Sequence, residues 1–93
     1  MPYKARVYVT LRASVLDPAG TAVQKAIQEQ MNVEIQSVRI GKFIEIFLDS
    51  PDQTKAHQTI QQICEQFLAN PVIEDFCFEL DEIPRVSNLA SQG

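Results

Sequence analysis

Val38-Arg39-Ile40-Gly41-Lys42-Phe43-Ile44-Glu45-Ile46-Phe47-Leu48 is the stretch that decides the fold predicted for this chain. It predicts two β-strands, at 33–40 and 43–49, joined at Gly41-Lys42, because glycine tolerates the positive φ that a two-residue hairpin turn requires. Side chains of a strand alternate between two faces, so Ile44, Ile46 and Leu48 predict a core face. The opposite face carries Phe43 and Phe47, and two phenylalanines there indicate a surface that another protein chain covers.

Helix caps and hydrophobic periodicity predict four further elements around this hairpin. Alternating apolar and polar residues, as around Ala5 and Val7, indicate a half-buried strand, whereas apolar residues three and four positions apart indicate an amphipathic helix. Asp17-Pro18 and Ser50-Pro51 each place a capping residue before a proline, which is typical of a helix start. The predicted elements are a strand at 3–12, a helix from Pro18 to about Met31, a helix from Pro51 to about Ala69 and a strand at 72–80.

The element order β-α-β-β-α-β predicts an α+β fold that is ferredoxin-like in outline. Right-handed crossovers give a four-stranded antiparallel sheet with both helices on one face. The other face, with Phe43 and Phe47, is then expected to be used in oligomerisation. One domain is predicted at 1–80, followed by a polar, flexible tail at 81–93. The apolar stripe of the first helix consists of Ala22, Val23, Ala26, Ile27 and Met31. Asn32 follows the stripe and predicts a left-handed cap at the end of this helix, and Gly20 near its start is expected to weaken the helix slightly.

Composition excludes several classes of function for this chain of 93 residues. Its net charge is −4, which argues against a nucleic-acid partner, because phosphate binding normally needs a basic surface. No apolar run approaches the roughly 18 residues of a membrane helix. Met1 leads directly into the first strand, so no signal peptide is expected. Cys64 and Cys77 fit two reduced and mostly buried thiols, and the chain is expected to be cytoplasmic.

The sequence offers little with which to build a catalytic site. His57 is the single histidine, and it is interpreted as a surface residue. Asp17 and Asn70 are better explained as a helix cap and a helix terminator than as site residues. Phosphate-loop, dinucleotide and zinc motifs are missing, so no catalytic residue, metal ligand or bound cofactor is predicted. Arg39 and Lys42 flank the predicted turn, either as solvated cations or as contacts to a phosphate or an acidic partner.

Three segments carry motifs that occur together in one family of small proteins. They are Val15-Leu16-Asp17-Pro18-Ala19-Gly20, Val38-Arg39-Ile40-Gly41-Lys42 and Leu68-Ala69-Asn70-Pro71-Val72-Ile73-Glu74-Asp75-Phe76. With the length and the element order, they resemble the PurS family, the small subunit of phosphoribosylformylglycinamidine synthase. The resemblance covers about residues 3–80. The chain departs from the family pattern at Ala19, Asn32 and Phe76, where the family often has glutamine, glycine and tyrosine.

The resemblance implies an assembly subunit within a glutamine-dependent ligase. The family's complex converts formylglycinamide ribonucleotide, glutamine and ATP to the amidine in de novo purine biosynthesis. In that complex a glutaminase subunit, PurQ, releases ammonia, and a synthetase subunit, PurL, uses it with ATP and Mg. The family's small subunit has no catalytic residues of its own. It associates with itself, as a dimer or a tetramer, and bridges the other two subunits.

The stretch quoted at the outset supplies the residues that are predicted to contact other proteins. The predicted interface between copies of the chain consists of Val38, Ile40, Phe43 and Phe47. The predicted contacts to the larger subunits are Arg39 and Lys42.

Two other functions share the predicted order of elements. Amino-acid-binding regulatory domains also dimerise, but they bind ligands at the loop after the first strand and are usually attached to an enzyme. Enzymes of the acylphosphatase type need a phosphate-cradling loop at that position. Here the loop is Arg12-Ala13-Ser14-Val15, which has no glycine, so a small-molecule sensor is the stronger of the two alternatives.

Overall fold

A computed structural model describes residues 1–84 of the chain as three strands and two helices. The second helix continues without a break into one π-helical turn. Within the described range, no helix has both the length and the apolar character needed to cross a membrane. The elements are β1 (Pro2–Leu11), α1 (Pro18–Met31), β2 (Lys42–Asp49), α2 (Gln53–Ile63) with its π-helical turn (Cys64–Leu68), and β3 (Glu74–Glu82).

The sheet has three strands in the order β2-β1-β3, and both pairings are antiparallel. Val7 in the middle of β1 lies opposite Ile44 of β2 and Phe78 of β3. The predicted α+β class, with two helices and an antiparallel sheet, is confirmed. The predicted strand at 33–40 is wrong, so the described residues form three strands and not the four of a complete ferredoxin-like sheet.

The hydrophobic core lies between α2 and one face of the sheet, called the inner face. Ala5, Val7 and Val9 of β1 are fully buried there under Ile60 and Cys64. The inner-face residues of the two outer strands pack against this centre but are only partly buried. They are Ile44, Ile46 and Leu48 of β2 and Phe76, Phe78 and Leu80 of β3. The single helix thus covers the central strand well and the flanking strands incompletely.

The predicted hairpin at Gly41-Lys42 is wrong, because β2 pairs with β1 and not with 33–40. Gly41 does not adopt the positive φ of the predicted turn; among the described residues only Asn32 has one. Gly41 is needed for a different reason. A Cβ atom at this position would collide with the carbonyl oxygen of Val9 and with a methyl group of Thr10. The chain therefore crosses close over the end of β1 before it enters β2.

Segment 33–41 runs back along α1 instead of pairing with β2. The carbonyl oxygen of Ile35 accepts hydrogen bonds from Nε2 of Gln24 (2.7 Å) and Nε2 of Gln28 (3.2 Å). Asn32 caps the end of α1 in the left-handed conformation, as predicted, with a φ of 54°. The returning segment is thus attached to the helix that precedes it, and α1 together with 33–41 is called the arm from here on.

The arm stands away from the sheet, contrary to the prediction that both helices cover one face. Within the described chain, Gly20 is the only buried residue of α1, and no α1 side chain belongs to the hydrophobic core. The Cα radius of gyration is 17.3 Å, compared with about 12 Å for a compact domain of this length. The apolar stripe that α1 was predicted to bury therefore lies outside the core of its own chain.

Several predicted element ends differ from the structure by one or two residues, among them the start of α2 and both ends of β3, which begins at Glu74 and not at 72. The cap of α2 is Asp52, whose carboxylate accepts a hydrogen bond from the Lys55 amide (2.8 Å), two residues later than the predicted Ser50 cap. Ser50 does not cap the helix, because its hydroxyl instead donates a hydrogen bond to the carbonyl oxygen of Asp52 (3.2 Å). β3 continues to Glu82, two residues into the predicted tail. Residues 85–93 of that tail lie outside the described residues.

Candidate functional site

The described residues provide few groups for catalysis. Within residues 1–84, no three His, Cys, Asp or Glu side chains are placed together so that they could hold a metal ion. The imidazole of His57 lies 4.8 Å from the ring of Phe78, centroid to centroid, which is a packing contact. Burial raises the pKa of the Cys64 thiol, so this cysteine stays protonated and behaves as a small apolar residue of the core. Cys77 is exposed, because it lies on the opposite side of β3 from the core, so the expectation of two mostly buried thiols is wrong for this residue.

Asp17 is a structural carboxylate at the base of the arm. Its Oδ1 accepts a hydrogen bond from the Gly20 amide (2.9 Å), which confirms the predicted helix cap, and its Oδ2 accepts one from the Ile40 amide (2.9 Å). The side chain is buried. The hydrogen bonds from Gly20 and Ile40, with a smaller contribution from the charge of Arg39, hold the pKa of this carboxyl below its ordinary value. Asp17 therefore connects the start of α1 to the end of segment 33–41.

Arg39 attaches the same end of the arm to the loop after β1. Its guanidinium donates hydrogen bonds to the carbonyl oxygens of Leu11 (3.0 Å), Arg12 (2.7 Å) and Val15 (3.3 Å). Asp17 and Arg39 are together called the clasp. Sequence reasoning assigned Arg39 to contacts with other subunits and did not find this internal role. The sequence held one signal for this role. Arg39 lies in the motif Val38-Arg39-Ile40-Gly41-Lys42, which in the resembled family occurs together with the Asp-Pro helix start.

Gly20 is a second residue whose role the sequence did not disclose. It was expected only to weaken α1 slightly, as glycine does inside a helix. In the structure a Cβ atom at Gly20 would collide with the carbonyl oxygen of Val38 and with the carboxylate of Asp17. Glycine is therefore required where α1 and the returning segment come together.

The three motif segments quoted from the sequence meet at one end of the sheet. Lys42 Nζ lies 3.8 Å from a carboxylate oxygen of Glu74. Glu74 Oε1 in turn accepts a hydrogen bond from the Asn70 amide (2.7 Å), and Asn70 Oδ1 accepts one from the Val72 amide (3.1 Å). Asn70 therefore organises the turn that ends the helix, as predicted. The motifs position one another through these contacts and the clasp.

A groove of about 470 Å³ opens on the inner face at this end of the sheet. It lies beside the base of the arm, between the first motif segment and the adjoining ends of β1 and β2. The residues that line it are Val9, Leu11, Asp17, Pro18, Ala19, Ile40, Gly41, Lys42 and Glu74. Most of its wall is apolar, which suits an apolar side chain better than a polar substrate.

The sheet face opposite the core, called the outer face, carries an exposed aromatic group. Phe43 is 55% and Phe47 is 48% exposed, in agreement with the predicted direction of their side chains. The rings of Tyr8 and Phe43 lie 5.3 Å apart, centroid to centroid. Lys4 Nζ lies 5.6 Å from the centre of the Phe47 ring and 2.9 Å from a carboxylate oxygen of Glu45. Aromatic rings at the centre of an exposed face are typical of protein interfaces.

Ion pairs border these rings on the β3 side of the outer face. The Arg6 guanidinium pairs with Asp81 (2.6 Å) and Glu79 (3.2 Å), and the carboxylates raise the pKa of Arg6, Asp81 more than Glu79. The hydroxyl of Tyr8 donates a hydrogen bond to Glu79 (3.3 Å). The polar groups beside the rings thus already have partners within the chain, so the surface can be covered without leaving them unpaired.

The residues predicted as one interface lie on two separate surfaces. Phe43 and Phe47 belong to the outer face, whereas Val38 and Ile40 belong to the returning segment of the arm. Ile40 is 43% exposed. Their separation follows from the missing hairpin, because residues on both sides of Gly41 would share a face only if they formed paired strands.

Comparison with known proteins agrees with the motif resemblance. Residues 4–82 match the family described as PurS: Phosphoribosylformylglycinamidine (FGAM) synthase. The chain belongs to the PurS family. The Synechocystis sp. phosphoribosylformylglycinamidine synthase subunit PurS is 54% identical over 78 residues, which are 84% of this chain and 78% of that protein. The Bacillus subtilis PurS subunit is 44% identical over 81 residues, 87% of this chain and 95% of that protein.

Solved PurS structures share the fold. The C2 crystal form of B. subtilis PurS has a TM-score of 0.77 at 45% identity, covering 86% of this chain and 99% of that chain. A chain in the structure of PurLQS from Thermotoga maritima has a TM-score of 0.81 at 26% identity, covering 87% of this chain and 99% of that one. The α+β architecture of this chain is thus shared with both solved chains over nearly the whole of each.

Proposed function

We propose that this PurS-family chain is an assembly subunit of phosphoribosylformylglycinamidine synthase and has no catalytic residues of its own. The observation that carries the proposal is its similarity to a chain of the T. maritima PurLQS structure over nearly the whole of that chain. The clasp and the motif contacts support it, because they use the chain's distinctive polar residues for structure. The amino-acid sensor has no specific observation in its favour.

In this proposal the reaction takes place on the larger subunits. The complex converts formylglycinamide ribonucleotide to the amidine, with glutamine as the nitrogen source and ATP and Mg bound by other chains. A glutaminase subunit of the PurQ type releases ammonia, and a synthetase subunit of the PurL type uses it. The chain described here bridges these two subunits, and with them it is a cytoplasmic protein of purine biosynthesis.

The outer face is proposed as a contact between copies of the chain. Phe43 and Phe47 would be its centre, with the ring of Tyr8 beside them. Val38 and Ile40 would contribute from the arm. Lys42, with a side chain that is 62% exposed, is proposed to contact a larger subunit. Arg39 is also proposed to contact a larger subunit, in addition to donating its hydrogen bonds in the clasp.

A reconstituted synthase assay tests the function. PurL- and PurQ-type subunits are assayed for glutamine-dependent amidine formation with and without this chain, and with ammonium chloride as a nitrogen source that needs no transfer between subunits. We expect the chain to raise the glutamine-dependent rate and to leave the ammonia-dependent rate much less changed. An equal glutamine-dependent rate with and without the chain would contradict the proposal.

Sedimentation of an outer-face variant tests the proposed contact between copies. Phe43→Asp with Phe47→Asp is expected to lower the mass of the assembly, because two buried charges would cost more than the interface gains from the rings. The control is Gln62→Asp, which adds a charge at an exposed position of α2. A double variant with the mass of the unaltered protein would exclude this contact.

A further inference from the structure

The hydrogen bonds between β1 and β3 determine which backbone groups of β3 remain free. The Arg12 amide donates a hydrogen bond to the carbonyl oxygen of Ile73 (2.8 Å), and the Ile83 amide donates one to the carbonyl oxygen of Pro2 (2.9 Å). These bonds lie at the two ends of the β1–β3 pairing and share its register. Because hydrogen-bonded and non-hydrogen-bonded pairs alternate along an antiparallel ladder, they assign every position between them.

Alternate residues in the middle of β3 direct their backbone groups away from β1. They are Phe76, Phe78 and Leu80, which occupy the non-hydrogen-bonded pairs of the register. Among the strands that the structure describes, none pairs with β3 on this side, because β3 is last in the order β2-β1-β3. The side chains of the same three residues lie on the inner face and are only partly buried. The free edge of β3 thus offers unpaired amides and carbonyls next to incompletely covered apolar side chains.

The outer-face side chains along the free edge of β3 are acidic. Five of the nine residues of β3 are Asp or Glu, and none is Lys or Arg. The side chains of Asp75, Glu79 and Asp81 are 64%, 61% and 54% exposed. The Arg6 guanidinium pairs with both Glu79 and Asp81, and Arg12 lies 3.8 Å from Asp75. Two cations therefore face three carboxylates, and this side of the edge stays negative.

The charge of the edge disfavours a second copy of the chain as its occupant. Within residues 1–84 the other free sheet edge belongs to β2, whose outer face carries Glu45 and Asp49 but no Lys or Arg. Pairing β3 with either free edge of a copy would place carboxylates beside carboxylates, and like charges on neighbouring strands are destabilising. Charged side chains of this kind protect sheet edges from association with identical chains. A strand from a different protein is the better occupant.

We propose that a larger subunit of the synthase adds an extended segment to the free edge of β3, and that apolar residues alternate with Lys or Arg in this segment. Main-chain hydrogen bonds to Phe76, Phe78 and Leu80 hold the segment in register, as in other complexes formed by strand addition. Its apolar side chains extend the inner face, and its cations lie beside Asp75 and Glu79. The inference rests on the proposed function and names a contact through which the chain joins the complex.

Hydrogen exchange at single amides tests the added strand. The chain is allowed to exchange alone, with a PurL-type subunit and with a PurQ-type subunit, and quenched samples are read by fragmentation in the mass spectrometer. Alone, the Phe76, Phe78 and Leu80 amides are expected to exchange fast at every protein concentration, whereas the Cys77 and Glu79 amides, bonded to β1, are protected. With one of the larger subunits, exchange of the first three is expected to slow by about tenfold or more, as for amides that gain a stable hydrogen bond.

Two results of this measurement would overturn the added strand. The first is unchanged exchange of the Phe76, Phe78 and Leu80 amides in a complex that has formed. The second is slow exchange of these amides in the isolated chain, because the edge would then already be paired within the chain or with a copy.

A charge substitution tests the basic character of the segment. Cys77→Lys places a cation between Asp75 and Glu79, at a position where the native thiol is exposed. We expect this variant to bind the larger subunit roughly tenfold more weakly, because it sets like charges against each other across the contact. Cys77→Ser is the matched control and should bind as the unaltered chain does. Circular dichroism and sedimentation of both variants alone check that folding and self-association are equal.

The outcomes separate this contact from the proposed function. If the three amides stayed unprotected while the chain still raised the glutamine-dependent rate, the added strand would be wrong and the proposed function would stand. Protection of the amides without an effect of Cys77→Lys would overturn the alternation with Lys or Arg. If neither larger subunit bound the unaltered chain, the contact and the proposed function would both be wrong.

Discussion

The body of the molecule and its arm are stabilised by different interactions. In the body, the sheet and α2 enclose fully buried residues such as Val7 and Ile60. In the arm, α1 is attached at its base by the clasp and along its length by the two glutamines that bind Ile35. Apolar burial stabilises the first region within one chain, whereas hydrogen bonds position the second and leave its apolar side uncovered.

One chain can therefore contain both a complete apolar core and an apolar helix face that its own residues leave uncovered. An amphipathic pattern predicts that a helix has an apolar partner, but it does not specify to which chain the partner belongs. In the body the partner is α2 on its own sheet. In the arm the polar contacts at the base decide the direction of the helix, and they direct it away from that sheet.

Among substitutions in the body and the arm, Ile60→Ala is expected to lower the free energy of unfolding the most. Ile60 is fully buried under the sheet, so truncation removes apolar contacts and leaves a cavity, at a cost of about 2–5 kcal/mol in the free energy of unfolding. Urea denaturation followed by circular dichroism measures this loss. It is expected at every protein concentration, because the packing lies within one chain.

Val23→Ala in the arm is the matched truncation. At a concentration low enough to keep the chain monomeric, it should change the free energy of unfolding by no more than about 0.5 kcal/mol, as at other exposed sites. A loss as large as that of Ile60→Ala under these conditions would mean that the stripe of α1 is buried within its own chain, and the contrast between body and arm would fail.

Gly20→Ala is expected to lower the stability of the protein, whereas the same substitution inside an exposed helix ordinarily raises it. In an exposed helix, alanine is more stable than glycine by about 1 kcal/mol. Here the new Cβ would collide with the Val38 carbonyl, and overpacking of this kind typically costs about 1–3 kcal/mol. We expect a net loss of stability and faster proteolysis within 33–41, measured by denaturation and limited digestion.

Thr21→Ala is the control for that substitution, because Thr21 is exposed on the same turn of the helix. Alanine should there be neutral or slightly stabilising, as its helix propensity predicts. If Gly20→Ala behaved like Thr21→Ala, the close packing of α1 on the returning segment would not be what holds the arm together.

The sequence predicted the elements of the body well, since their patterns are local. Alternation gave the inner and outer faces of β1 and β2 correctly, including the outward direction of Phe43 and Phe47. The Asp17-Pro18 start and the Asn32 cap of α1 are also local signals, and both are confirmed. These features depend on residues within a few positions of one another.

The predicted path of 33–41 failed because long-range contacts determine it. The segment alternates enough to resemble a strand, and Gly41 resembles a turn glycine. Whether it pairs with β2 or returns along α1 depends on Gln24, Asp17 and Arg39, whose hydrogen-bond partners lie 11 to 28 residues away. No spacing rule discloses such partners, so the residues of the predicted interface were placed on one face, although the structure separates them onto two surfaces.

Acidification should loosen the arm before the body, through the Asp17 carboxylate. Its pKa is lowered in the folded chain by the hydrogen bonds from Gly20 and Ile40, so the ionised form binds more favourably there than in the unfolded chain. This stabilisation is complete above the ordinary carboxyl pKa of about 3.9 and is lost as the pH falls through the lowered folded value. NMR titration of the side-chain carboxyl carbon measures the pKa, and hydrogen exchange of the Ile40 amide measures the loosening.

Asp17→Asn separates the charge from the shape of this side chain. The amide oxygen can still cap α1, but the amide nitrogen cannot accept the hydrogen bond from the Ile40 amide. We expect faster exchange at Ile40 at neutral pH and no further loosening there on acidification. Arg39→Lys should keep the acid response, because its charge contributes less to the lowered pKa than the two hydrogen bonds do. An Asp17 carboxyl that titrates at or above its ordinary value would contradict the prediction, because it would show that the carboxylate does not accept the hydrogen bonds from Gly20 and Ile40.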